Sequence, residues 1–395
     1  MINILSNTDR KKCSACMACL NACGTDAIFS KTDEFGFEYP EINSEKCVNC
    51  GKCSSICEGA QTEELRTPIE AYAATNRDKS VLMQSSSGGA FSVLADYVLW
   101  QSGAVCGCVY DKDLMPVHIC AETQDEVVLM RKSKYAQSDV GLVYRDVLKR
   151  LKDGQFVLFT GTPCQVAALY AVVGHKYDNL LTVDLICHGV PSRTMFKKFL
   201  EYLEGKYSTK ITEFDFRSKK YGWQRYTAEF KNQKDKTVNI GKVNEFYLAA
   251  FTSGNIMRPS CFDCRFAQAK RIGDITIGDF WGHAALDLKC DKKNGISVLT
   301  INTPTALGLV DMLSRKMVLD KIDYAVAVKG NHCLNRPTQK GKKWDYYMQA
   351  FKSNNIDHLA QRYRANNKKK ILRGTIKLLV PIWVVNFMNK RKYRR

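Results

Sequence analysis

The first 20 residues contain no apolar run of signal-peptide length and instead carry Lys11, Lys12 and three cysteines. We therefore expect a cytoplasmic protein, because nothing in this segment directs the chain to an oxidising compartment. Disulfides rarely persist in the cytoplasm. The 17 cysteines of the chain are accordingly expected to be metal ligands, redox groups or core residues.

Other signals are missing as well. No G-x-G-x-x-G fingerprint follows a predicted strand, which leaves a Rossmann-type nicotinamide site unsupported. No nucleic-acid-binding motif accompanies the formal net charge of +19, so nucleic acid is not an expected partner. With 45% hydrophobic and 10% aromatic residues the chain is not disordered, and its 395 residues suffice for two or three cores.

Eight of the cysteines fall within the first 57 residues, in two copies of the spacing C-x2-C-x2-C-x3-C that are offset by 34 residues. The tight loop supplies three thiolates to an iron-sulfur cube, and in the bacterial ferredoxin arrangement the fourth comes from the other run. This predicts two 4Fe-4S clusters. The ligands of the first would be Cys13, Cys16, Cys19 and Cys57, and those of the second Cys47, Cys50, Cys53 and Cys23.

Zinc and disulfides are the alternatives for these runs. Zinc has little use for two runs of four with this repeat, and disulfides contradict the expected compartment. Residues 1–66 thus resemble the two-cluster ferredoxin module, although Gly24 and Glu58 stand where that family usually has proline. This segment has seven Lys/Arg and ten Asp/Glu, a net charge of −3 that gives weak support to a docking face. A hairpin is predicted over 29–37.

From about residue 67, apolar runs alternate with helix-period segments, which is typical of α/β organisation. The predicted helices cover 90–100, 140–152 and 165–173, and the predicted strands cover 71–75, 104–110, 156–160, 181–186 and 274–278. If the strands at 156–160 and 181–186 are parallel neighbours, their C-terminal ends share one sheet edge. Ligands bind at that edge in open α/β folds.

Four further cysteines suggest a third cluster. Cys164 stands at the expected start of a helix, where a thiol has a lowered pKa, and Cys187 ends the next strand. A C-x2-C pair, Cys261 and Cys264, lies in an irregular stretch, and the two pairs together make four thiolates. Taken singly, each has an ordinary structural alternative, since buried cysteine is common. The remaining cysteines are expected in the core or at the surface: Cys106, Cys108, Cys120, Cys290 and Cys333.

Five motifs occur in one order: SSSGGAF at 85–91, RKSKYAQS at 131–138, GTPCQ at 161–165, CHGVP at 187–191 and DITIGDFWG at 274–282. Together they resemble the coenzyme F-420 hydrogenase/dehydrogenase beta-subunit family, which includes flavin and iron-sulfur reductases of deazaflavin and of chlorophyll intermediates. The resemblance spans about residues 1–340. It implies a bound FAD that passes electrons between iron-sulfur clusters and a hydride-accepting partner.

The segment 85–89 precedes a predicted helix, whose positive end suits a pyrophosphate, with an ordinary N-cap as the alternative. Lys134 and Arg131 suit phosphate or the flavin ring, with solvated side chains as the alternative. Two catalytic candidates, His188 and Asp279, have structural alternatives of the same kind; His188 also suits the tuning of a cluster. The FAD-binding residues that the resemblance implies are Ser85, Ser86, Ser87, Gly88, Gly89, Lys134, Tyr135, Gly161 and Thr162.

The C-terminal segment 361–395 contains 12 Lys/Arg and no acidic residue. Within it, 371–388 is largely apolar, but Arg373, Lys377 and Pro381 make it costly as a membrane span. Trp383 and Phe387 between basic clusters favour a segment that lies on the anionic inner face of a membrane. A solvated tail and a docking segment are the alternatives.

The sequence therefore predicts a mixed α+β and α/β architecture in three parts: a two-cluster ferredoxin domain at 1–66, a flavin-binding α/β reductase domain at 67–345 and a basic helical tail at 346–395. The predicted function is an iron-sulfur flavoprotein oxidoreductase that moves electrons via FAD between 4Fe-4S clusters and a hydride-accepting substrate or deazaflavin-type coenzyme. Its partner would be a redox protein or a small-molecule electron acceptor. The alternatives are a non-catalytic electron-transfer subunit of a larger complex and a scaffold whose clusters are structural.

Overall fold

The computed structural model describes residues 11–174, 177–241 and 245–379. Its N-terminal part is a small module with two helices, α1 (Ala18–Ala22) and α2 (Lys52–Thr62), and an antiparallel pair of strands, β1 (Ile28–Thr32) and β2 (Glu38–Ile42). The predicted hairpin is confirmed. Its turn is held by Asp33, whose carboxylate accepts backbone N–H bonds from Phe35 and Phe37.

The larger part is built on an eight-stranded sheet with the order β13-β3-β12-β11-β7-β6-β4-β5. Five strands, β3, β4, β6, β7 and β11, point in the same direction, so their C-terminal ends lie at one edge of the sheet. The other three, β5, β12 and β13, point in the opposite direction. The strands are β3 (Glu70–Asn76), β4 (Ala104–Tyr110), β5 (Pro116–Ala121), β6 (Val157–Gly161), β7 (Leu180–Leu185), β11 (Ile275–Asp279), β12 (Ser297–Ile301) and β13 (Met317–Lys321).

All five predicted strands are present, and β6 and β7 are parallel neighbours as the site prediction required. Their apolar runs are buried, as expected for central strands that are covered on both faces. The sequence analysis missed β5, β12 and β13. A short, fully buried run such as SVLTI in β12 has no alternation that would distinguish a strand from buried helix.

Helices cover the sheet, and the three predicted ones are present. The helix expected at 165–173 begins two residues earlier, at Pro163, because Thr162 and Gln165 form a capping box and proline suits the first helical position. Together with the three predicted helices, which are α4, α6 and α7, the helices from residue 79 to residue 330 are α3 (Lys79–Met83), α4 (Ala90–Trp100), α5 (Gln124–Val128), α6 (Val143–Lys152), α7 (Pro163–Val173), α8 (Arg193–Tyr207), α9 (Phe246–Thr252), α10 (Pro304–Leu307), α11 (Val310–Lys316) and α12 (Tyr324–Gly330).

A second, three-stranded antiparallel sheet consists of β8 (Ile211–Ser218), β9 (Thr227–Asn232) and β10 (Thr237–Gly241). It packs with α8 and α9 around a core rich in aromatic side chains, among them Phe196, Phe199, Phe214, Phe216 and Tyr247. This sheet was not predicted. It directs the end of β8 towards the segment 85–89.

The C-terminal segment differs from the predicted tail. Helix α13 (Trp344–Lys352) crosses the expected boundary at 345, and α14 (Ile356–Leu379) follows it. Tyr347, Leu359 and Tyr363 are buried in the same aromatic core, so apolar packing makes the chain up to Tyr363 part of the folded domain. Within the described residues, no helix is both long and apolar enough to cross a membrane. Pro381, Trp383 and Phe387 lie outside the described residues.

Cys106 and Cys120 were expected to be separate core or surface residues, but the structure joins them in a disulfide. They face each other across the antiparallel pair β4 and β5, at a Cα separation of 4.0 Å. Residues opposite each other in this way have neighbouring side chains. Because β5 was not predicted, their pairing was not predicted either.

Buried polar contacts fasten the N-terminal module to the larger part. Arg145 of α6 donates to the carbonyls of Leu20 and Asn21. Arg258, only 1% exposed, donates to the carbonyl of Glu38 at 2.8 Å and to Gln137 Oε1 at 2.8 Å. The module is therefore held in a defined position on the sheet domain.

The buried ion pair between Asp184 of β7 and Arg271 should be essential for stability, because both side chains are almost fully inaccessible (0% and 2% exposed). We expect Asp184→Ala to cost about 3–5 kcal/mol, since the guanidinium would lose its charge partner inside the protein. Anaerobic urea unfolding followed by tryptophan fluorescence measures the effect. Asp345→Ala, which removes one side of the exposed pair with Lys340, is the control and should cost less than about 1 kcal/mol. Equal losses would contradict this assignment.

Candidate functional site

The structure gathers seven of the eight N-terminal cysteines in two groups that cross between the runs. The eighth, Cys50, is exposed, and its place as a ligand stays a prediction. The thiol of Cys19 interacts electrostatically with those of Cys16, Cys13 and Cys57. The thiol of Cys53 interacts in the same way with those of Cys47 and Cys23. Cys57 belongs to the second run and Cys23 to the first, so each group takes one member from the other run, as the ferredoxin arrangement requires.

Cys164, Cys187, Cys261 and Cys264 meet at the C-terminal edge of the main sheet. Cys164 lies in the first turn of α7, Cys187 follows β7, and the C-x2-C pair lies at the short 3-10 helix Pro259–Asp263. Cys187 interacts with the other three thiols, and Cys261 and Cys264 each interact with Cys164. We call these four residues the edge cysteines. Four adjacent thiols are what a 4Fe-4S cluster uses.

Burial controls the acidity of the edge cysteines. It raises the pKa of Cys261 to about 12 and that of Cys264 to about 11. The pKa of Cys164 is also raised by burial, although the hydrogen bond from Thr162 opposes this effect. The expectation of a lowered pKa at the helix start is therefore wrong for the metal-free protein. Buried thiols of this kind fit a cluster, because iron ions stabilise the thiolate form.

The first N-terminal group adjoins the edge cysteines. Cys16 interacts electrostatically with Cys164, and Tyr144 donates to the Cys16 carbonyl at 3.0 Å. The buried guanidinium of Arg258 lies against both groups, since it approaches the Cys13 carbonyl at 3.5 Å and lowers the pKa of Cys164 in part. A buried cation here would offset the negative charge of thiolate-bound clusters. The sequence analysis missed this role of Arg258.

The segment 85–89 precedes α4 as predicted, but the protein itself occupies most of its polar groups. Ser85 Oγ donates to the Val81 carbonyl and Ser87 Oγ to the Ile296 carbonyl, both at 2.7 Å. The Gly88 N–H donates to Ser297 Oγ at 2.9 Å. The remaining hydroxyl, that of Ser86, accepts from the N–H and the hydroxyl of Ser133, so its own hydrogen is left for a ligand. Several hydroxyls of this segment were expected to receive a pyrophosphate. Those of Ser85 and Ser87 already donate to the protein, so Ser86 remains as the candidate donor.

Two buried cations at the end of β8 face this segment. Arg217, 2% exposed, donates to the Ser86 carbonyl and to the Tyr135 hydroxyl, each at 3.4 Å. Lys219 Nζ donates to the carbonyls of Leu82 and Ser87 at 2.7 and 2.6 Å. Burial, followed by repulsion from Arg217, lowers the pKa of Lys219 to about 7.

These cations fit an anionic ligand. Arg217 Nε is buried and has no hydrogen-bond partner within the described part of the chain. Among the described residues, the carboxylate of Asp279 pairs with Arg217 and no carboxylate forms an ion pair with Lys219. Neither residue was identified from the sequence, because neither lies in a recognised motif.

Asp279 was a catalytic candidate, and its environment favours the structural alternative. Its two oxygens accept from the guanidinium of Arg217 at 2.9 and 3.0 Å. The indole N–H of Trp223 also donates to one of them at 3.0 Å. Asp279 therefore orients Arg217 beneath the segment 85–89.

His188, the second catalytic candidate, lies beside Phe251, whose ring stacks on Tyr135 with centroids 4.5 Å apart. Burial, and then the neighbouring His332, lowers the pKa of His188 to about 4. The ring is therefore neutral at pH 7. A neutral ring favours hydrogen bonding or metal ligation over proton donation by an imidazolium.

The other predicted FAD residues divide between two places. Lys134 donates to the carbonyls of Leu129 and Arg131, so it fastens its own loop, whereas Tyr135 accepts from Arg217 near the segment 85–89. Gly161 and Thr162 lie at the end of β6 beside Cys164, with Thr162 Oγ1 at 3.2 Å from the Cys164 sulfur. Two strands, β7 and β11, separate β6 from β12, which contacts the segment 85–89.

Two family models match the chain. Residues 154–325 match the C terminus of the coenzyme F420 hydrogenase/dehydrogenase beta subunit, and residues 12–59 match the 4Fe-4S dicluster domain. The resemblance seen in the motifs is thus confirmed. The chain is an iron-sulfur electron-transfer protein related to these beta subunits, with the mixed α/β fold and the small N-terminal ferredoxin-like module that the sequence predicts.

Two individual proteins are similar over parts of the chain. Ketoisovalerate oxidoreductase subunit VorC from Methanothermobacter marburgensis is 35% identical over 51 residues, which are 12% of this chain and 65% of that subunit. The chain thus spans slightly less than two thirds of that relative. A chain in a structure of the F420-reducing NiFe hydrogenase complex from Methanosarcina barkeri is 17% identical, with a TM-score of 0.46 and coverage of 68% of this chain and 91% of that chain.

The edge cysteines generate a direct prediction on iron content. We expect the anaerobically reconstituted protein to hold about twelve irons and Cys164→Ala to hold about eight, because the cluster of the edge cysteines would be lost. Cys290→Ala is the matched control, since Cys290 is a buried free cysteine outside all three groups. Colorimetric iron per chain is the measurement. Equal iron in the two variants would exclude a cluster at the edge cysteines.

Proposed function

We propose that this protein is a flavin-dependent iron-sulfur oxidoreductase. Electrons pass among three 4Fe-4S clusters and FAD, and from FAD to a hydride-accepting partner or in the reverse direction. The observation that carries this proposal is the electrostatic interaction between the thiols of Cys16 and Cys164, which relates the first N-terminal group to the edge cysteines. The three groups then form a series from the small module into the sheet domain.

The series continues towards the candidate flavin site. His188 directly follows Cys187, and its ring lies 5.1 Å from the ring of Phe251 between centroids. Phe251 stacks on Tyr135, whose hydroxyl accepts from Arg217. A row of contacting rings therefore leads from His188, next to Cys187, to Arg217 near the segment 85–89.

FAD would supply the exchange between one-electron transfer to clusters and two-electron transfer to a hydride acceptor. The residues that would hold it are Arg217 and Lys219 at the diphosphate, together with the Ser86 hydroxyl. Asp279 fixes the orientation of Arg217 through two ion-pair contacts. Tyr226, with Arg217 stacked 3.8 Å above its ring, limits movement of the guanidinium.

The partner is proposed from chemistry alone. The acceptor would be a small hydride-accepting molecule, such as a deazaflavin-type coenzyme, and a redox protein would exchange electrons with the module at 12–59. The competing function is a relay subunit without flavin. Full iron content combined with no flavin in the purified protein and no flavin uptake would favour the relay and contradict the reductase.

Lys219 provides the test of the flavin site. We expect Lys219→Met to weaken FAD binding at least about 10-fold, because the diphosphate would lose a buried cation (a tenfold change is about 1.4 kcal/mol). Lys220→Met, at the exposed neighbouring position, is the matched control and should bind FAD normally. Fluorescence titration of deflavinated protein under anaerobic conditions gives both dissociation constants.

The same titration has a predicted pH dependence. The pKa of Lys219 in the free protein is about 7, and the diphosphate binds its protonated form, so FAD affinity should fall as the pH rises above 7. Lys219→Met should lose this dependence. A wild-type affinity that is constant between pH 6 and pH 9, the range on either side of about pH 7, would refute the role of Lys219.

We also propose a peripheral membrane contact for the C-terminal half of α14. Leu372 and Ile376 are 61% and 49% exposed and lie one turn apart. The exposed Lys368, Lys369 and Lys370 precede them. Exposed apolar side chains beside cations suit the surface of an anionic leaflet.

A truncated chain ending at residue 366 tests this contact. It keeps Tyr363, which is buried in the core, and ends before the non-helical Asn367 of α14. We expect the full chain to bind phosphatidylserine vesicles in a salt-sensitive manner and the truncated chain to lose this binding, since each cation near the surface contributes about 1 kcal/mol. Vesicle co-sedimentation is the measurement, with neutral phosphatidylcholine vesicles as the control. Equal binding by the two chains would rule out the contact.

A further inference from the structure

Three metal-ligating side chains outside the cysteine groups meet beside the edge cysteines. His188 follows β7, whereas His332 and Cys333 lie on the 3-10 helix His332–Leu334. Cys333 and His188 are 145 residues apart in sequence. One ligand atom from each of the three residues lies within 4.8 Å of the other two.

The separations suit one tetrahedral ion. Cys333 Sγ lies 3.7 Å from His188 Nδ1 and 3.2 Å from His332 Nε2. Zinc bonds of about 2.0–2.1 Å to nitrogen and 2.3 Å to sulfur place tetrahedral N and S ligands about 3.6 Å apart. The imidazole rings of the two histidines are nearly perpendicular, at 88°, with centroids 5.1 Å apart. Small side-chain adjustments are enough to bring all three atoms to bonding distance.

The hydrogen bonds around His188 prepare Nδ1 as a ligand. Nε2 lies 3.2 Å from the Phe251 carbonyl, which only accepts, so the ring proton is on Nε2. The Thr338 hydroxyl lies 3.2 Å from Nδ1 but donates its hydrogen to the His188 carbonyl at 2.6 Å, so the Nδ1 lone pair remains available to a ligand. Cys333 Sγ lies 3.7 Å from the same nitrogen. Zinc-bound histidines typically donate their other ring N–H to a carbonyl or carboxylate in this way.

We propose that His188, His332 and Cys333 bind one zinc ion, separate from the iron-sulfur clusters. One thiolate and two imidazoles are ligands that zinc prefers. Three protein ligands leave the fourth position to water or to an oxygen of a small ligand. His332 is exposed, which gives the ion a path from solvent, while Cys333 is buried. The ion would tie the 3-10 helix to the end of β7 and cover the edge cysteines, and none of its ligands belongs to the proposed clusters or flavin site.

Zinc and iron counted separately test this site. Full-length protein, reconstituted anaerobically with iron, is equilibrated with zinc and a competing chelator and analysed by mass spectrometry of both elements. We expect one zinc per wild-type chain and at least about 10-fold weaker zinc binding in His332→Ala, because even the loss of a ligand's hydrogen-bond partner costs about 10- to 100-fold. His358→Ala, which removes another exposed histidine, should retain zinc. Equal zinc in the two variants would overturn the proposal.

X-ray absorption at the zinc edge identifies the ligands without interference from iron. The expected shell has one sulfur at about 2.3 Å and nitrogens at about 2.0–2.1 Å. Cys333→Ser should remove the sulfur and leave the iron content unchanged. A shell of four sulfurs would place the zinc on the edge cysteines, and iron loss in Cys333→Ser would make Cys333 a cluster residue. Either result would refute the site.

Discussion

The burial of the edge cysteines beside Cys16 and Cys19 of the first N-terminal group is the constraint on which the rest of the structure depends. A thiol that is buried beside other thiols resists ionisation, as the raised pKa values of Cys261 and Cys264 show. The arrangement becomes favourable when a metal binds the thiolates. The module is placed so that the thiol of Cys16 interacts electrostatically with that of Cys164, and Tyr144, Arg145 and Arg258 hold it there through hydrogen bonds to its backbone.

Two buried cationic side chains lie at the other end of the same sheet edge, beside the segment 85–89. Arg217 and Lys219 are buried close together and Asp279 pairs with Arg217, while burial and then repulsion from Arg217 lower the pKa of Lys219. A protein tolerates such an arrangement when a ligand supplies the anion, because an unpaired buried charge is costly. The edge cysteines and these cations thus suit opposite kinds of ligand: metal cations at one place and an anion at the other.

The parts of the site that could be predicted are those with a local signal. The spacing within the two N-terminal runs predicts which cysteines are cluster ligands. Cys164 could be predicted because the sequence Gly-Thr-Pro stands between the end of β6 and a helix. Arg217, Lys219 and Arg258 have no such signal, since their importance comes from burial. The antiparallel strand β5 was missed, and the Cys106–Cys120 pairing was missed with it. The packing of Tyr363 into the core likewise could not be inferred from a basic, helical segment.

The sequence by itself determined the cluster type of the N-terminal module, the resemblance of the larger domain to the beta-subunit family and the strands β6 and β7, whose parallel pairing was an assumption. These follow from residue spacing and from runs of apolar residues, which are local properties of the chain. Tertiary structure alone decided that Cys16 interacts with Cys164, that Arg217 pairs with Asp279 and that His188 faces Cys333. The two residues of each pair lie 62 to 148 positions apart in the sequence. Sheet order and burial bring them together, and no local sequence pattern encodes either of these.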